Sequence, residues 1–189
     1  MHRVVLAITF VCGLAVAARA AQAPTPPQPP PPAPKPGPEH ALFKEDEGTW
    51  DAVVEMFVPG QQQPMTSKGV ETNTLGCGGL CIITDFKGDM GDMTFHGHGT
   101  ATWDAAKKKY VGSWTDSMSQ GLMLTEGTYD PAKRTFTGWS EAPDATGKVV
   151  KSRAVTEYKD KSNRVMSMYM PGPDGKEALG MRITYKKRM

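Results

Sequence analysis

The sequence predicts an all-β protein, a closed antiparallel up-and-down barrel of about ten strands with a short N-terminal helix. Three observations carry this. Apolar residues alternate with polar ones through most of the chain after Gly48, as in Trp50, Ala52, Val54 and Met56 against Thr49, Asp51, Val53 and Glu55. Turn signals interrupt that alternation at short spacing, at Pro59-Gly60, Gly78-Gly79, Gly88 with Gly91, Asp104 to Lys108, Asp130 to Lys133, Pro143 to Gly147, Asp160 to Asn163 and Pro171 to Gly175. Finally, Trp103 to Gly112 matches Tyr129 to Gly138 at an offset of 26, each running aromatic, Asp, turn, Lys, aromatic. Two such hairpins in succession make a meander, and a meander of this length exposes strand edges unless it closes on itself.

The elements follow in chain order. Residues 1–20 carry His2 and Arg3, an apolar stretch from Val4 to Ala18 and the small-residue pattern Ala18-Arg19-Ala20, the three parts of a secretory signal peptide. The apolar stretch is too short to span a membrane, so the mature chain is expected to have no transmembrane segment and to be periplasmic or secreted. Residues 21–38 form a proline-rich linker, with ten of the 16 prolines between Pro24 and Pro38. Such a stretch suits an extended polyproline II spacer. Residues 39–189 then supply one domain, long enough to bury a core without metal or disulfide staples. Within it, Glu39 to Glu47 reads as a short amphipathic helix with Leu42 and Phe43 inward, and no later window of a dozen residues keeps a helical period. Strand alternation returns in Met166, Met168 and Met170 and in Leu179, Met181, Ile183 and Tyr185.

Charge excludes one class of partner. Without Arg3 and Arg19 the remaining 20 Lys and Arg balance 20 Asp and Glu, so no nucleic-acid footprint is expected.

Gly48-Thr49-Trp50 follows the short helix and opens the first strand, and Arg182 lies in the last. This resembles the Gly-x-Trp start and closing basic residue of lipocalin-like, or calycin, barrels, which implies that Trp50 plugs one end with Arg182 packed over it. A more specific series runs Gly-Pro-Glu-His (37–40), Gly-Thr-Trp-Asp (48–51), Met-Thr-Ser-Lys-Gly (65–69), Glu-Thr-Asn (71–73), Lys-Lys-Tyr-Val (108–111), Ser-Trp-Thr-Asp-Ser-Met-Ser (113–119), Glu-Gly-Thr-Tyr-Asp (126–130) and Met-Tyr-Met-Pro-Gly-Pro-Asp-Gly-Lys-Glu (168–177). In that order it resembles the mostly bacterial family called domain of unknown function 1579. The resemblance covers about residues 37–187; it implies a lipocalin-like barrel and supplies no reaction, cofactor or catalytic residue. The segment Gly76 to Cys81 departs from the series through its cysteines, and His96 and His98 stand outside it.

Three constellations are candidates for function. Cys77 and Cys81 flank Gly78-Gly79-Leu80, a hairpin connection across which a disulfide fixes the register in an oxidising compartment; a redox or metal pair is the alternative. Met90, Met93, His96 and His98 combine thioether and imidazole donors that suit copper, with the two His about 6.8 Å apart on one strand face. The third is the barrel interior, where Trp114 and Asp116 share a strand face, Trp139 lies in a later hairpin, and Met168 stands between Met166 and Met170. An aromatic and methionine wall with one carboxylate suits a small apolar or amphipathic ligand, oriented by Asp116; the same residues can also fill a solid core.

No catalytic motif is present: there is no Gly-x-Ser-x-Gly elbow, phosphate-cradling loop or His-Glu-x-x-His. Acid-base work by Asp116 with Glu126 or Arg153 in a hydrolase or isomerase stays open, as does a purely structural envelope role. No cofactor is expected.

Overall fold

The computed structural model describes residues 32–143, 146–172 and 174–189. The expected signal peptide and most of the expected linker lie outside the described residues. A 3₁₀ turn at Pro38–His40 leads into helix α1 (Ala41–Asp46). Ten strands follow: β1 (Gly48–Met56), β2 (Met65–Gly76), β3 (Cys81–Met90), β4 (Met93–Asp104), β5 (Lys109–Asp116), β6 (Met123–Asp130), β7 (Thr135–Pro143), β8 (Val149–Tyr158), β9 (Asn163–Pro171) and β10 (Glu177–Lys187). Each pairs antiparallel with its neighbours in sequence, and β1 pairs with β10 from Trp50↔Lys187 to Met56↔Met181, which closes the barrel as expected.

The repeated hairpins owe their shape to aspartate. At the β4–β5 turn Asp104 Oδ1 accepts the amides of Ala106 and Lys107, both at 2.9 Å, and Asp130 Oδ1 does the same at the β6–β7 turn for Ala132 and Lys133, at 3.0 and 3.2 Å. Lys108 and Arg134, equivalent in the repeat, both take the left-handed conformation, with φ of 53° and 49°. The flanking aromatics pair across the strands, Trp103 with Tyr110 and Tyr129 with Phe136. In β2–β3 the turn is a 3₁₀ turn at Cys77–Gly79, and a disulfide joins Cys77 to Cys81 with Cα atoms 5.5 Å apart.

Connections alternate between the two ends of the barrel. One end carries the β2–β3, β4–β5, β6–β7 and β8–β9 turns together with α1. The other carries Met56 and Met65, paired across β1–β2, Met90 and Met93, paired across β3–β4, and the starts of β6, β8 and β10. Leu42 and Phe43 of α1 are buried against Ile82, Tyr110 and Tyr158, so the helix acts as a stopper at its end. Burying two such side chains is worth about 1.5–3 kcal/mol each, enough to hold a helix of under two turns that could not stand alone.

Candidate functional site

Beneath α1 lies a cavity of about 230 Å³. One side is apolar, made by Leu42, Phe43, Ile82, Ala101, Phe136 and Met166 with the ring of Tyr110. The other is polar, made by Asp46, Glu71, Asn73, Thr84, Thr156, Tyr158, Arg164 and Tyr185. Inward parity puts them there: Glu71 and Asn73 alternate along β2, Thr84 faces in from β3, and Arg164 shares with Met166 and Met168 the inner face of β9.

Arg164 organises the polar side. Only 6% exposed, it forms ion pairs with Asp46 through Nη1 and with Glu71 through Nη2. Its guanidinium lies over two rings, 4.3 Å from the centroid of Trp50 and 4.6 Å from that of Tyr185. Asn73 donates to Glu71 Oε1 at 2.7 Å and to the Asp46 carbonyl at 3.2 Å, and its own carbonyl accepts from Thr84 at 2.6 Å. Tyr158 donates to Asp46 Oδ2 at 3.0 Å. Arg164 Nε has no hydrogen-bond partner, the one such buried side-chain atom among the described residues.

Burial governs the titration of this cluster. It pushes the Asp46 carboxyl above the ordinary carboxylate range, against the pull of Arg164. Burial alone would lower the pKa of Arg164, but Asp46 and Glu71 outweigh it and hold the guanidinium charged. Desolvation also raises the Tyr158 and Tyr185 phenols, and takes Tyr110 up to about 12.

Trp50 is fully buried, with its Nε1 donating to the Asp46 carbonyl at 2.8 Å. Its basic partner differs from expectation. Arg182 sits on the outer face, 5.5 Å from the Phe57 ring and 3.8 Å from Glu55, while Arg164 of β9 and Lys187 cover Trp50. The physical reason is parity: Ile183 and Tyr185 point inward from β10, so Arg182 between them points out.

The residues expected to wall the interior separate. Trp114 is inside, lying across Gly97 and Gly99 of β4, where a side chain at Gly97 would collide with the indole. Asp116 is beside it but engaged, accepting Trp114 Nε1 at 3.0 Å and the Met118 amide at 2.9 Å. Met168 shares the inner face of β9 and packs between Met181 and Ala154 on the neighbouring strands. Trp139 is a correction: it is 51% exposed on the outside, between buried Gly138 and Ser140.

The methionine and histidine cluster does not assemble. His96 and His98 face outward from β4, whereas Met93 falls on the inner-face parity of the same strand and Met90 on that of β3. His98 pairs with Asp85 at 2.8 Å, and among the described residues no group of three His, Cys, Asp or Glu gathers to hold a metal. Asp85, His96, His98 and Ser117 line an outer recess of about 400 Å³, but its His98 and Asp85 side chains are 53% and 61% exposed and satisfy each other. Nor does the proposed acid-base pairing of Asp116 with Glu126 form: Glu126 is bound by Lys107 and Lys109, and Arg153 by Glu177.

Sequence reasoning missed Arg164, Glu71, Asn73 and Asp46. One signal was available for Arg164, which stands two residues before Met166 and so must share its face.

The fold has counterparts among solved structures. The S-type phycobiliprotein lyase CPES from Guillardia theta is similar with a TM-score of 0.57 at 11% identity, over 80% of this chain and 93% of that one. Rv2717c from M. tuberculosis is similar with a TM-score of 0.61 at 10% identity, over 81% of this chain and 99% of that one. At such identities the likeness is one of fold. No curated protein matches the sequence significantly. Among the described residues no helix is long and apolar enough to cross a membrane. The family model described as protein of unknown function (DUF1579) matches residues 35–187, and the chain belongs to that family.

Proposed function

We propose that this protein is an exported binding barrel that holds a small amphipathic molecule in the cavity beneath α1, with Trp114 and Met168 completing the inner wall toward the methionine end. The observation that carries the reading is the division of the cavity into an apolar wall and a buried, hydrogen-bonded polar cluster. A solid core has no need of Asp46, Glu71 and Arg164 together, since replacing a buried ion triad by apolar side chains is often neutral or stabilising. The volume of about 230 Å³ lies just below the usual range of roughly 300–1,000 Å³ for ligand pockets, which favours a small ligand. Holding suits the lining better than conversion, because its two carboxylates, Asp46 and Glu71, are both committed to Arg164. Export is supported by the leader-like residues 1–20 and by the Cys77–Cys81 disulfide, which belongs to an oxidising compartment. The lipocalin-like architecture is consistent with membership of the calycin barrels.

The test is to fill the cavity. Met166→Trp should abolish retention of small amphipathic molecules in a protein that still melts cooperatively, whereas Trp139→Ala, on the outside, should leave retention unchanged. Equal retention by Met166→Trp and wild type would place binding elsewhere.

A further inference from the structure

The polar side of the cavity beneath α1 has acceptors to spare and almost no donors, and that imbalance specifies its ligand, an inference that rests on the binding reading above. The side-chain donors are spent within the protein. Asn73 gives its amide protons to Glu71 and to the Asp46 carbonyl, and Thr84 gives its own to the Asn73 carbonyl. Tyr158 donates to Asp46, Tyr185 hydrogen-bonds Glu71, and Tyr110 donates to the Glu39 carbonyl at 2.8 Å. Arg164 directs Nη1 to Asp46 and Nη2 to Glu71, and its Nε has no surface open to a ligand. The Thr156 hydroxyl is left among the described side-chain donors of the lining, and a hydroxyl accepts as readily as it donates.

The acceptors are in surplus. A carboxylate offers about four lone-pair sites, and here Asp46 accepts from Arg164 and Tyr158, Glu71 from Arg164, Asn73 and Tyr185. Both residues line the cavity, and their side chains keep 16% and 9% of their surface open. Charge points the same way. Among the described lining residues one guanidinium stands against two carboxylates, with no second cation, and Glu45, which also acts on Asp46, is paired with Arg134. A ligand carboxylate would add a third negative charge in a poorly solvated space and would find no donor beyond Thr156, whereas an ammonium brings three N–H donors and the opposite charge. From these facts we infer that the cavity is selective for a small primary amine, its ammonium on the Asp46 and Glu71 side and its alkyl body against Phe43, Tyr110 and Phe136. At about 30 Å³ for each water-sized group, the cavity of about 230 Å³ takes roughly seven non-hydrogen atoms.

Three six-carbon probes separate the alternatives: hexylamine, hexan-1-ol and hexanoate, titrated calorimetrically into the mature protein at neutral pH, where the amine is protonated. Hexylamine should bind at least about tenfold more tightly than either of the others. Glu71→Gln balances the one guanidinium with one carboxylate, and should weaken hexylamine severalfold while leaving hexan-1-ol unchanged, a difference that a merely loosened cavity would not produce; where that variant does not fold, the ranking on the wild-type protein decides alone. Met166→Trp should abolish hexylamine binding, and undiminished binding there would put the amine outside the cavity and overturn the inference. Hexan-1-ol or hexanoate binding as well as hexylamine overturns the ligand class but leaves a cavity that binds. Binding of none of the three by the folded protein overturns the binding reading itself.

Discussion

Replacing Arg164 by alanine should be far more damaging than replacing Arg182, although Arg182 has the position in sequence expected of the residue that closes the barrel. The Arg164 side chain neutralises Asp46 and Glu71 and covers both Trp50 and Tyr185. Removing one member of a buried ion cluster leaves its partners uncompensated and costs about 3–5 kcal/mol. In a domain of this size that loss lowers the melting temperature by about 6–20 °C. Arg182, 42% exposed and 3.8 Å from Glu55, should cost less than about 1 kcal/mol. Urea unfolding followed by tryptophan fluorescence reads both, since Trp50 reports directly on the site. The pH dependence supplies a second check. Asp46 is already held above the usual carboxylate range by burial and would lose the guanidinium that opposes this. Its folded pKa therefore rises further, the neutral form is favoured in the folded state, and stability is lost as pH climbs from the unfolded value through the folded one. The Arg164→Ala deficit should accordingly shrink as pH is lowered from neutrality. A cost below about 1 kcal/mol, or an equal cost for Arg182→Ala, would refute the assignment of Arg164 as the residue that closes the Trp50 end.

Three other outcomes are expected. Asp104→Ala and Asp130→Ala should each destabilise by about 1–2 kcal/mol and by similar amounts, because each removes an acceptor from two backbone amides in equivalent turns; equilibrium unfolding measures both. Tyrosine ultraviolet titration should show Tyr110 ionising only near pH 12, with Tyr158 and Tyr185 also well above 10; since these raised pKa values favour the neutral phenol in the folded state, stability should be intact below pH 10 and fall above it. The double substitution Cys77→Ser with Cys81→Ser should cost at most about 2 kcal/mol, because the disulfide closes so short a loop, and denaturant melts with and without reductant should give the same figure.

The barrel was legible because its information is local. Alternation marks strands, aspartate turns mark hairpins, and the equivalence of Trp103–Gly112 with Tyr129–Gly138 survives as matching turn geometry down to the left-handed Lys108 and Arg134. The same register could have placed Trp139. Trp114 stands four residues after inward Tyr110, whereas Trp139 stands three after Phe136, the equivalent position, and so faces outward. Bulk and aromaticity suggested an inner wall, but parity decides the face. The polar cavity was not legible, because Glu71, Asn73 and Arg164 read as solvent-facing side chains in any local window. Their burial depends on four separated segments, α1, β2, β3 and β9, converging at one end of the barrel. The histidines mislead for the complementary reason: proximity in sequence put Met90, Met93, His96 and His98 together, and strand parity divides them between two faces.

The most direct test of an interior binding site is native mass spectrometry of the mature protein from an oxidising compartment, compared with the same sample after denaturation. The account predicts a discrete organic mass that accompanies the folded chain, is released on denaturation, and is absent from Met166→Trp protein prepared in the same way. A folded wild-type chain that carries no such mass, as isolated and after challenge with a panel of small amphipathic molecules, would contradict it.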